Sequence, residues 1–413
     1  MATDDSDSLL DRLPEPDLDI EAPDAYAVLA GLFTLHLGSE MAYAREPSVI
    51  WGVASIYVFA SALVLIGAGV STVDVRRWGR PLAGAAFVAI MTALGVTYLM
   101  IHGSPINTDA LDFVNIAAEA ILSGQSPYVV SMQSGGEYPT PMMDGGHVNQ
   151  YSYPVGSAML AAPFVAIAED GSRIAVLLST VVIGALVIGT ASHELAPLGL
   201  FSLLVGDFIT WGVSDLTDPL WVAPLLAALY LWPWSRVGRD SLRWSAILFG
   251  IAMAVKQQAW FCAPFLMLWV WHERGRWTAA KYVATVAGTF GLIHLPVFVL
   301  APEAAVVGLL TNLYGPSGTL VHLGVGVSAL TLSGAFPIAK GAHTLLMGLV
   351  GISGVVAYWH YFERLRWLAW LAWAPLLFFN YRSLANYFIV CAPVAVMLLN
   401  ARLGREPEVA DAA

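Results

Sequence analysis

Charged side chains are rare in the apolar parts of this 413-residue chain, and three of them are of types that group-transfer chemistry uses. Asp109 opens the stretch DALDFVNIAAEAIL, Lys256 lies in GIAMAVKQQAWF, and Arg382 lies in FFNYRSLANYF. A carboxylate can accept the proton of an attacking hydroxyl group, and cations can hold a phosphate as the leaving group. If the fold brings the three together, they predict a site for transfer from a phosphate-linked donor.

Asp109 and its neighbour Asp112 also have a simpler interpretation. An acid in the first turn of a helix is stabilised by the positive helix end, and polar helix faces are usually solvated. Thr108 is a reasonable N-cap and Gly124 a helix stop, so the spacing predicts a helix over 109–123. Its polar residues recur on one face, which is typical of an amphipathic helix lying in a membrane interface. Asp109 is the candidate general base, and Asp112, close enough to couple with it, is the second choice.

Lys256 and Arg382 are the candidate phosphate-binding residues. A lysine within a membrane span is costly and is by default a functional candidate, although its alkyl chain can also carry the ammonium group to the interface. Arginines flank Lys256 at both ends of 236–276, so we expect it at the external tip of a hairpin. Arg382 falls on the same side by the same count of spans. Asp218 has two interpretations. It faces the cavity that holds Lys256 and Arg382, or it is a plain helix start of the Asp-Pro type.

Composition places the chain in a membrane. Hydrophobic residues make up 58% and charged residues 12%, whereas soluble domains carry about 25% charged residues. These values exclude a soluble enzyme, a disordered tail and a disulfide scaffold. The excess of 30 acids over 19 bases argues against nucleic acid as a partner. It suits a halophilic archaeon, in which salt screens the repulsion between surface carboxylates.

Apolar runs predict an all-α polytopic bundle of about 11 to 13 spans, since each span needs about 20 apolar residues. The runs lie at 26–43, 49–70, 81–101, 153–168, 174–191, 196–212, 219–234, 244–271, 279–300, 342–361, 367–379 and 384–400. The run 244–271 is long enough for a tight hairpin. Residues 1–25 are predicted to form an acidic cytoplasmic tail, residues 26–400 the transmembrane domain, and residues 401–413 a cytoplasmic C-terminal tail. Tryptophans at the ends of the runs, Trp232 and Trp269 among them, predict an aromatic belt.

Basic residues orient this bundle, because cytoplasmic loops carry an excess of Lys and Arg. We expect five clusters on the cytoplasmic side, namely Arg76–Arg80, Arg236–Arg243, Arg274–Lys281, Arg364–Arg366 and Arg402–Arg405. Loop 102–152 contains no Lys or Arg, and stretch 301–341 contains only Lys340, so both are predicted outside the cell. The run 196–212 breaks the alternation of sides, and we expect that it does not cross.

The segments around Asp109 and Lys256 resemble the polyprenyl-phosphate-sugar-dependent membrane glycosyltransferases of the GT-C fold, and among them the mannosyltransferase-like members with archaeal and actinobacterial relatives. The likeness covers residues 80–270. It rests on Thr108-Asp109 before an amphipathic helix, Gly124-Gln125-Ser126-Pro127-Tyr128, Tyr151-Ser152-Tyr153-Pro154 before a span with Pro163, and Lys256-Gln257 before Pro264. The chain departs from the family in lacking an adjacent acidic pair and a large soluble C-terminal domain.

This resemblance implies an inverting transfer of a sugar from a polyprenyl or dolichyl phosphate to an acceptor on the extracytoplasmic face. Asp109 would deprotonate the acceptor hydroxyl, and the acceptor would be a glycan, a lipid or a protein. The implied contacts to the sugar or acceptor are Gln257, Gln258, Asn149, Tyr151 and Tyr153. Each of the five also has a structural interpretation as a turn residue, an interface aromatic or a helix polar contact.

No cofactor is expected, because the sequence has no phosphate loop or metal-ligand motif. A divalent metal stays open, with His102, His147 and Asp144 as weak candidates. The alternative function is a multi-span transporter or lipid-linked-sugar flippase, in which Lys256 and the aspartates bind substrate. Transporters usually contain paired internal repeats with a midplane site, and this sequence contains no evident repeat. A non-catalytic membrane scaffold is a third possibility, in which the long loop without basic residues has no obvious use.

Overall fold

The computed structural model of the chain describes residues 23–42, 49–70, 75–101, 109–132, 140–141, 146–212, 216–235, 241–314 and 323–403. Most of both predicted tails lies outside these residues, so the structure says nothing of them.

Helices form nearly all of the described regular structure, as the apolar runs predict. They are α1 (Pro23–Ala42), α2 (Val49–Val70), α3 (Val75–Ile101), α4 (Asp109–Leu122), α5 (Gly156–Val165), α6 (Gly171–Gly189), α7 (Ala196–Leu204), α8 (Phe208–Gly212), α9 (Asp218–Tyr230), α10 (Leu242–Val255), α11 (Ala263–Leu300), α12 (Pro302–Tyr314), α13 (Ser328–Leu332), α14 (Lys340–His360), α15 (Phe362–Leu365), α16 (Trp373–Phe378), α17 (Ala385–Ile389) and α18 (Cys391–Leu403). Two short strands, β1 (Leu323–Gly324) and β2 (Arg382–Ser383), pair in parallel.

Several of these helices have the length and composition of membrane spans. Within the described residues five helical stretches qualify, Val75–Val96, Gly171–Gly189, Gln257–Leu300, Lys340–His360 and Ala385–Leu403. Shorter apolar helices add Asp24–Gly38, Val53–Gly69, Gly156–Val165, Asp218–Tyr230 and Leu242–Val255. The chain is therefore a helical protein with the character of a polytopic membrane protein. The number of crossings, about 11 to 13 by the count of runs, stays a prediction.

The helix α6 lies near the centre of the main core and contacts α3, α5, α7, α9 and α18. Close approach is possible because Gly184 of α6 faces the ring of Phe87, where a Cβ atom would lie 2.0 Å from the ring. A smaller second core joins the loop after α4 to the ends of α11 and α12, through Phe113, Tyr128, Tyr151, Val297 and Ala305. This second core holds the predicted external loop against the bundle.

Glycines with positive φ interrupt the helical path at two places. In 196–212 the break is at Gly206 (φ 62°), between α7 and α8. No continuous helix of spanning length forms there, and the expectation that this run does not cross stays a prediction. In α11 the break is at Gly275 (φ 78°), where the sequence predicts a basic loop between two spans. Glycine tolerates these conformations because it has no Cβ.

The stretch 301–341, predicted as a second external loop, contains the helix α12, the strand β1 and the helix α13. Two expectations about local structure need correction. The helix α3 begins at Val75 and includes the arginines that the sequence assigns to a loop. Trp232 and Trp269 are 0% exposed and pack edge to face with ring centroids 5.3 Å apart. These two tryptophans therefore belong to the core, where edge-to-face contacts between aromatic rings stabilise them.

Candidate functional site

Asp109 is the first residue of α4 and is buried, with 5% of its surface exposed. The backbone N–H of Thr140 donates to Oδ2 at 2.6 Å, and the Thr140 hydroxyl donates to Oδ1 at 2.9 Å. Hydrogen bonds to both oxygens fix the orientation of the carboxyl group. Thr140 therefore connects the middle of the predicted loop to the candidate base. Asp112 lies on the exposed face of α4, away from this buried position.

Lys256 lies where the hairpin turns. The helix α10 ends at Val255, Lys256 is extended (φ −151°, ψ 141°), and a 3-10 turn over Gln257–Cys262 leads into α11. The helices α10 and α11 pack against each other, so the apolar stretch 244–271 does reverse direction. The Lys256 side chain is buried at this turn.

The ammonium group of Lys256 forms a buried ion pair with Asp218. Nζ lies 2.8 Å from Oδ1 of Asp218, and the side chains of the two residues are 6% and 4% exposed. Asp218 also accepts hydrogen bonds from Nε1 of Trp221 at 3.0 Å and from Nδ2 of Asn386 at 2.5 Å. These three donors compensate the Asp218 carboxylate, as a buried charge requires.

Tyr153 is the common neighbour of the predicted chemical groups. Nζ of Lys256 lies 5.9 Å from the centroid of its ring. The carboxylates of Asp109 and Asp218 and the guanidinium group of Arg382 lie near enough to act electrostatically on its phenol. The structure thus places Asp109, Lys256 and Arg382 in the surroundings of one tyrosine.

Arg382 is positioned by the short parallel pairing of β1 and β2. Leu323 lies opposite Arg382, and the N–H of Val325 donates to the carbonyl oxygen of Ser383 at 2.5 Å. Gly324 (φ 109°) lies so near this strand that a Cβ would be 2.0 Å from the same carbonyl oxygen. The Arg382 side chain is half-buried. The strand pairing fixes the position of its Cα atom.

The residues that the resemblance assigns to sugar or acceptor binding fall into two groups. Gln257, Asn149 and Tyr151 make contacts within the protein. Nε2 of Gln257 donates to the carbonyl oxygen of Ser152 at 2.8 Å, Oδ1 of Asn149 accepts from Ser131 at 2.6 Å, and the Tyr151 hydroxyl lies 2.5 Å from Oγ of Ser157.

Gln258 belongs to the second group. It is buried, and its Oε1 has no hydrogen-bond partner among the described residues. Tyr153 joins it, because its ring centroid lies 5.9 Å from Nζ of Lys256 and the charges of Asp109 and Arg382 act on its phenol. Gln258 and Tyr153 are therefore the two of the five that remain best placed to contact a ligand.

Sequence reasoning missed Thr140, Asn386 and Tyr387 and gave Asp218 little weight. The Tyr387 ring centroid lies 5.9 Å from Nζ of Lys256, the same distance as that of Tyr153. A signal for Asp218 was present, since an acid inside an apolar stretch needs a partner. Nothing in the sequence marks Thr140 or Asn386, because their role arises only from contact with distant residues.

The described residues contain no group of three or more His, Cys, Asp or Glu side chains placed to hold a metal. Of the weak metal candidates, His147 is exposed, and His102 and Asp144 lie outside the described residues.

Comparison with known proteins adds no relative. No protein-family model matches the chain, and neither a curated protein nor a solved structure is found to be similar to it.

Proposed function

We propose that this protein is a membrane glycosyltransferase of the GT-C type, with a polyprenyl- or dolichyl-phosphate sugar as donor and Asp109 as general base. The observation that supports it best is the gathering of an oriented, buried carboxylate and two cations around Tyr153. A base, a phosphate-binding group and a neutral aromatic surface are the parts that sugar transfer from a phosphate requires.

In this reaction the acceptor hydroxyl attacks the anomeric carbon of the sugar. The new bond joins the acceptor oxygen to that carbon, and the bond from the carbon to the phosphate oxygen breaks. The phosphate leaves with the electron pair, and the hydroxyl proton passes to Asp109. Direct displacement inverts the anomeric carbon. Thr140 holds the carboxylate from one side and leaves it lone pairs for the acceptor.

The two cations contribute unequally in this proposal. Asp218 already compensates Lys256, so a phosphate would compete with a carboxylate there. Lys256 still has further N–H donors, because an ammonium group carries three, and it remains a proposed second contact. Arg382 makes no ion pair with a carboxylate in the described part of the chain, so it is the main proposed contact to the donor phosphate.

The test is the substitution Asp109→Asn, measured as transfer of labelled sugar from lipid-linked donors by membranes that contain the protein. We expect the rate to fall by ~10²–10⁴-fold, the usual contribution of a general base. Asparagine can keep both contacts to Thr140, since its oxygen accepts the N–H and its amide donates to the hydroxyl oxygen. Expression and thermal stability in detergent should therefore be unchanged.

Asp112→Asn is the matched control, because Asp112 is an exposed acid on the same helix. We expect this variant to keep full activity. Full activity in Asp109→Asn would remove Asp109 from the reaction.

One observation favours the alternative of a transporter or flippase. Buried ion pairs inside a helical membrane protein often mark substrate or ion pathways, and Asp218–Lys256 is such a pair. A flippase reconstituted in liposomes would move lipid-linked sugar across the bilayer and form no glycosidic bond, so detection of the product distinguishes the two.

A further inference from the structure

A second basic residue lies beside Arg382. The first residue of α14 is Lys340, and its Nζ lies 4.3 Å from the centroid of the Tyr381 ring. This nitrogen is buried and has no hydrogen-bond partner among the described residues. The guanidinium group of Arg382 is near enough to act on it electrostatically. Two like charges therefore lie within electrostatic range of each other, and one of them lies over the Tyr381 ring.

Neither charge is compensated within the described part of the chain. Lys340 and Arg382 make no ion pair there, whereas Lys256 has Asp218. A buried ammonium group without a partner is unfavourable, and a neighbouring guanidinium adds repulsion. An anion that binds between the two removes both costs.

The scaffold holds these cations together instead of letting them separate. β1 and β2 fix the backbone of Arg382. On the face of α14 that carries Lys340, Nδ1 of His343 lies 3.0 Å from the carbonyl oxygen of Phe379, and Sδ of Met347 lies 3.6 Å from Nδ2 of Asn380. These contacts attach the start of α14 to the segment before β2, so the positive site exists before any ligand arrives.

An apolar groove lies further along the same helix. Lys340, Gly351, Gly354 and Tyr358 lie on one face of α14 by helical spacing, and the last three line a cavity of about 630 Å³ against Phe265 and the stretch 371–376. Gly351 is roughly 16 Å from Lys340 along the helix axis. In a phosphate ester of a long hydrocarbon chain, the phosphate would compensate the two cations and the chain would pack against the apolar groove.

We propose that Lys340, Arg382 and Tyr381 bind the phosphate group of a membrane lipid whose hydrocarbon chain lies in this groove of α14. The proposal rests on the proposed function, because this lipid phosphate is then the leaving group of sugar transfer. A phosphodiester donor carries one negative charge, and the monoester that leaves carries nearly two. Two uncompensated cations bind the leaving group more tightly than the donor, and this difference favours cleavage of the bond from sugar to phosphate.

The experiment measures binding of three probes to the full-length protein in detergent by native mass spectrometry and thermal shift. The probes are a polyprenyl monophosphate, the uncharged polyprenol and inorganic phosphate. We expect Lys340→Gln and Arg382→Gln each to weaken binding of the polyprenyl monophosphate by ~10–100-fold, the usual effect of losing one hydrogen bond to a charged group. Polyprenol binding should not change, and inorganic phosphate should bind more weakly than the lipid phosphate.

Matched controls separate the phosphate site from general effects. Lys281→Gln removes an exposed lysine elsewhere and should bind the lipid phosphate like the wild type, while Lys340→Arg should recover most of the affinity. Gly354→Phe fills the groove and should weaken binding of both polyprenyl probes, whereas binding of inorganic phosphate should not change. Gly348→Phe is its control on the exposed side of α14, where a side chain meets nothing within 4 Å.

Wild-type affinity in Lys340→Gln overturns the phosphate site, and equal affinity for inorganic phosphate overturns the role of the hydrocarbon chain. Failure of the proposed function has a different result. Asp109→Asn should still bind the lipid phosphate, and a protein that binds it without transferring sugar would keep this site and lose the enzyme.

Discussion

At the scale of single residues, the two buried carboxylates of the site are compensated in different ways. Asp109 accepts two hydrogen bonds from the uncharged Thr140 and forms no ion pair with a cation among the described residues. Asp218 meets a cation, Lys256, and forms a pair without net charge. A carboxylate that is not paired with a cation can accept the proton of a hydroxyl group. A buried carboxylate that is paired with a cation mainly stabilises that cation. The chemistry proposed here therefore belongs to Asp109, and Asp218 serves to hold Lys256.

Removal of one partner of this pair tests that division. Lys256→Met leaves the Asp218 carboxylate buried without its cation, and we expect a loss of ~3–5 kcal/mol of stability. The double variant Lys256→Met with Asp218→Asn should regain much of it, since no charge is then left unpaired. Thermal unfolding in detergent measures both. Equal stability of the single and double variants would contradict the pairing.

At the scale of elements, the site depends on the contact between the start of α5 and the end of α10. Gly156, three residues after Tyr153, lies so close to Ala254 that a Cβ would be 2.4 Å from its carbonyl oxygen. Ala254 lies two residues before Lys256. This contact therefore sets the distance between Tyr153 and the hairpin turn, and only glycine permits it.

A methyl group at this contact should separate the two elements. We expect Gly156→Ala to cost ~1–3 kcal/mol of stability, the usual effect of overpacking, and to reduce sugar transfer while the charged residues are all retained. Gly189→Ala in α6 is the control, because a Cβ there meets nothing within 4 Å. Activity and unfolding temperature are measured for both. An unaffected Gly156→Ala variant would show that the contact is not needed.

At the scale of the whole molecule, the site and the basic clusters lie at opposite ends of the same helices. Arg243 is near the start of α10 and Lys256 follows its end, roughly 20 Å away along the axis. At the basic end, Nη1 of Arg366 lies 3.4 Å from Oε1 of Glu273. Since basic residues mark the cytoplasmic side, this separation supports a site on the extracytoplasmic side.

Labelling of single cysteines checks the orientation. Cys262 and Cys391 are replaced by serine, and one cysteine is placed at Glu119 or at Glu363, both exposed acids. We expect a membrane-impermeant maleimide to label intact cells at position 119 and only broken cells at position 363. Labelling at 363 in intact cells would place the proposed site on the cytoplasmic face.

Local patterns account for the elements that sequence reasoning predicts well. The spacing that predicts a helix over 109–123 agrees with α4, because Gly124 (φ 72°) ends it as a glycine stop should. The length of the run 244–271 predicts the hairpin that Lys256 occupies. Each of these features depends on residues within a few helical turns, where sequence spacing and physical spacing agree.

Tertiary structure decided which charges compensate each other. The sequence supplies the acids and the cations, and it favours a membrane bundle that keeps them away from lipid. Asp218 finds Lys256 38 positions away and Asn386 168 positions away, and Lys340 lies near Arg382 because contacts of His343 and Met347 attach α14 to the segment before β2. The free energy of a buried charge depends on its neighbours in space, and sequence separation does not specify those neighbours.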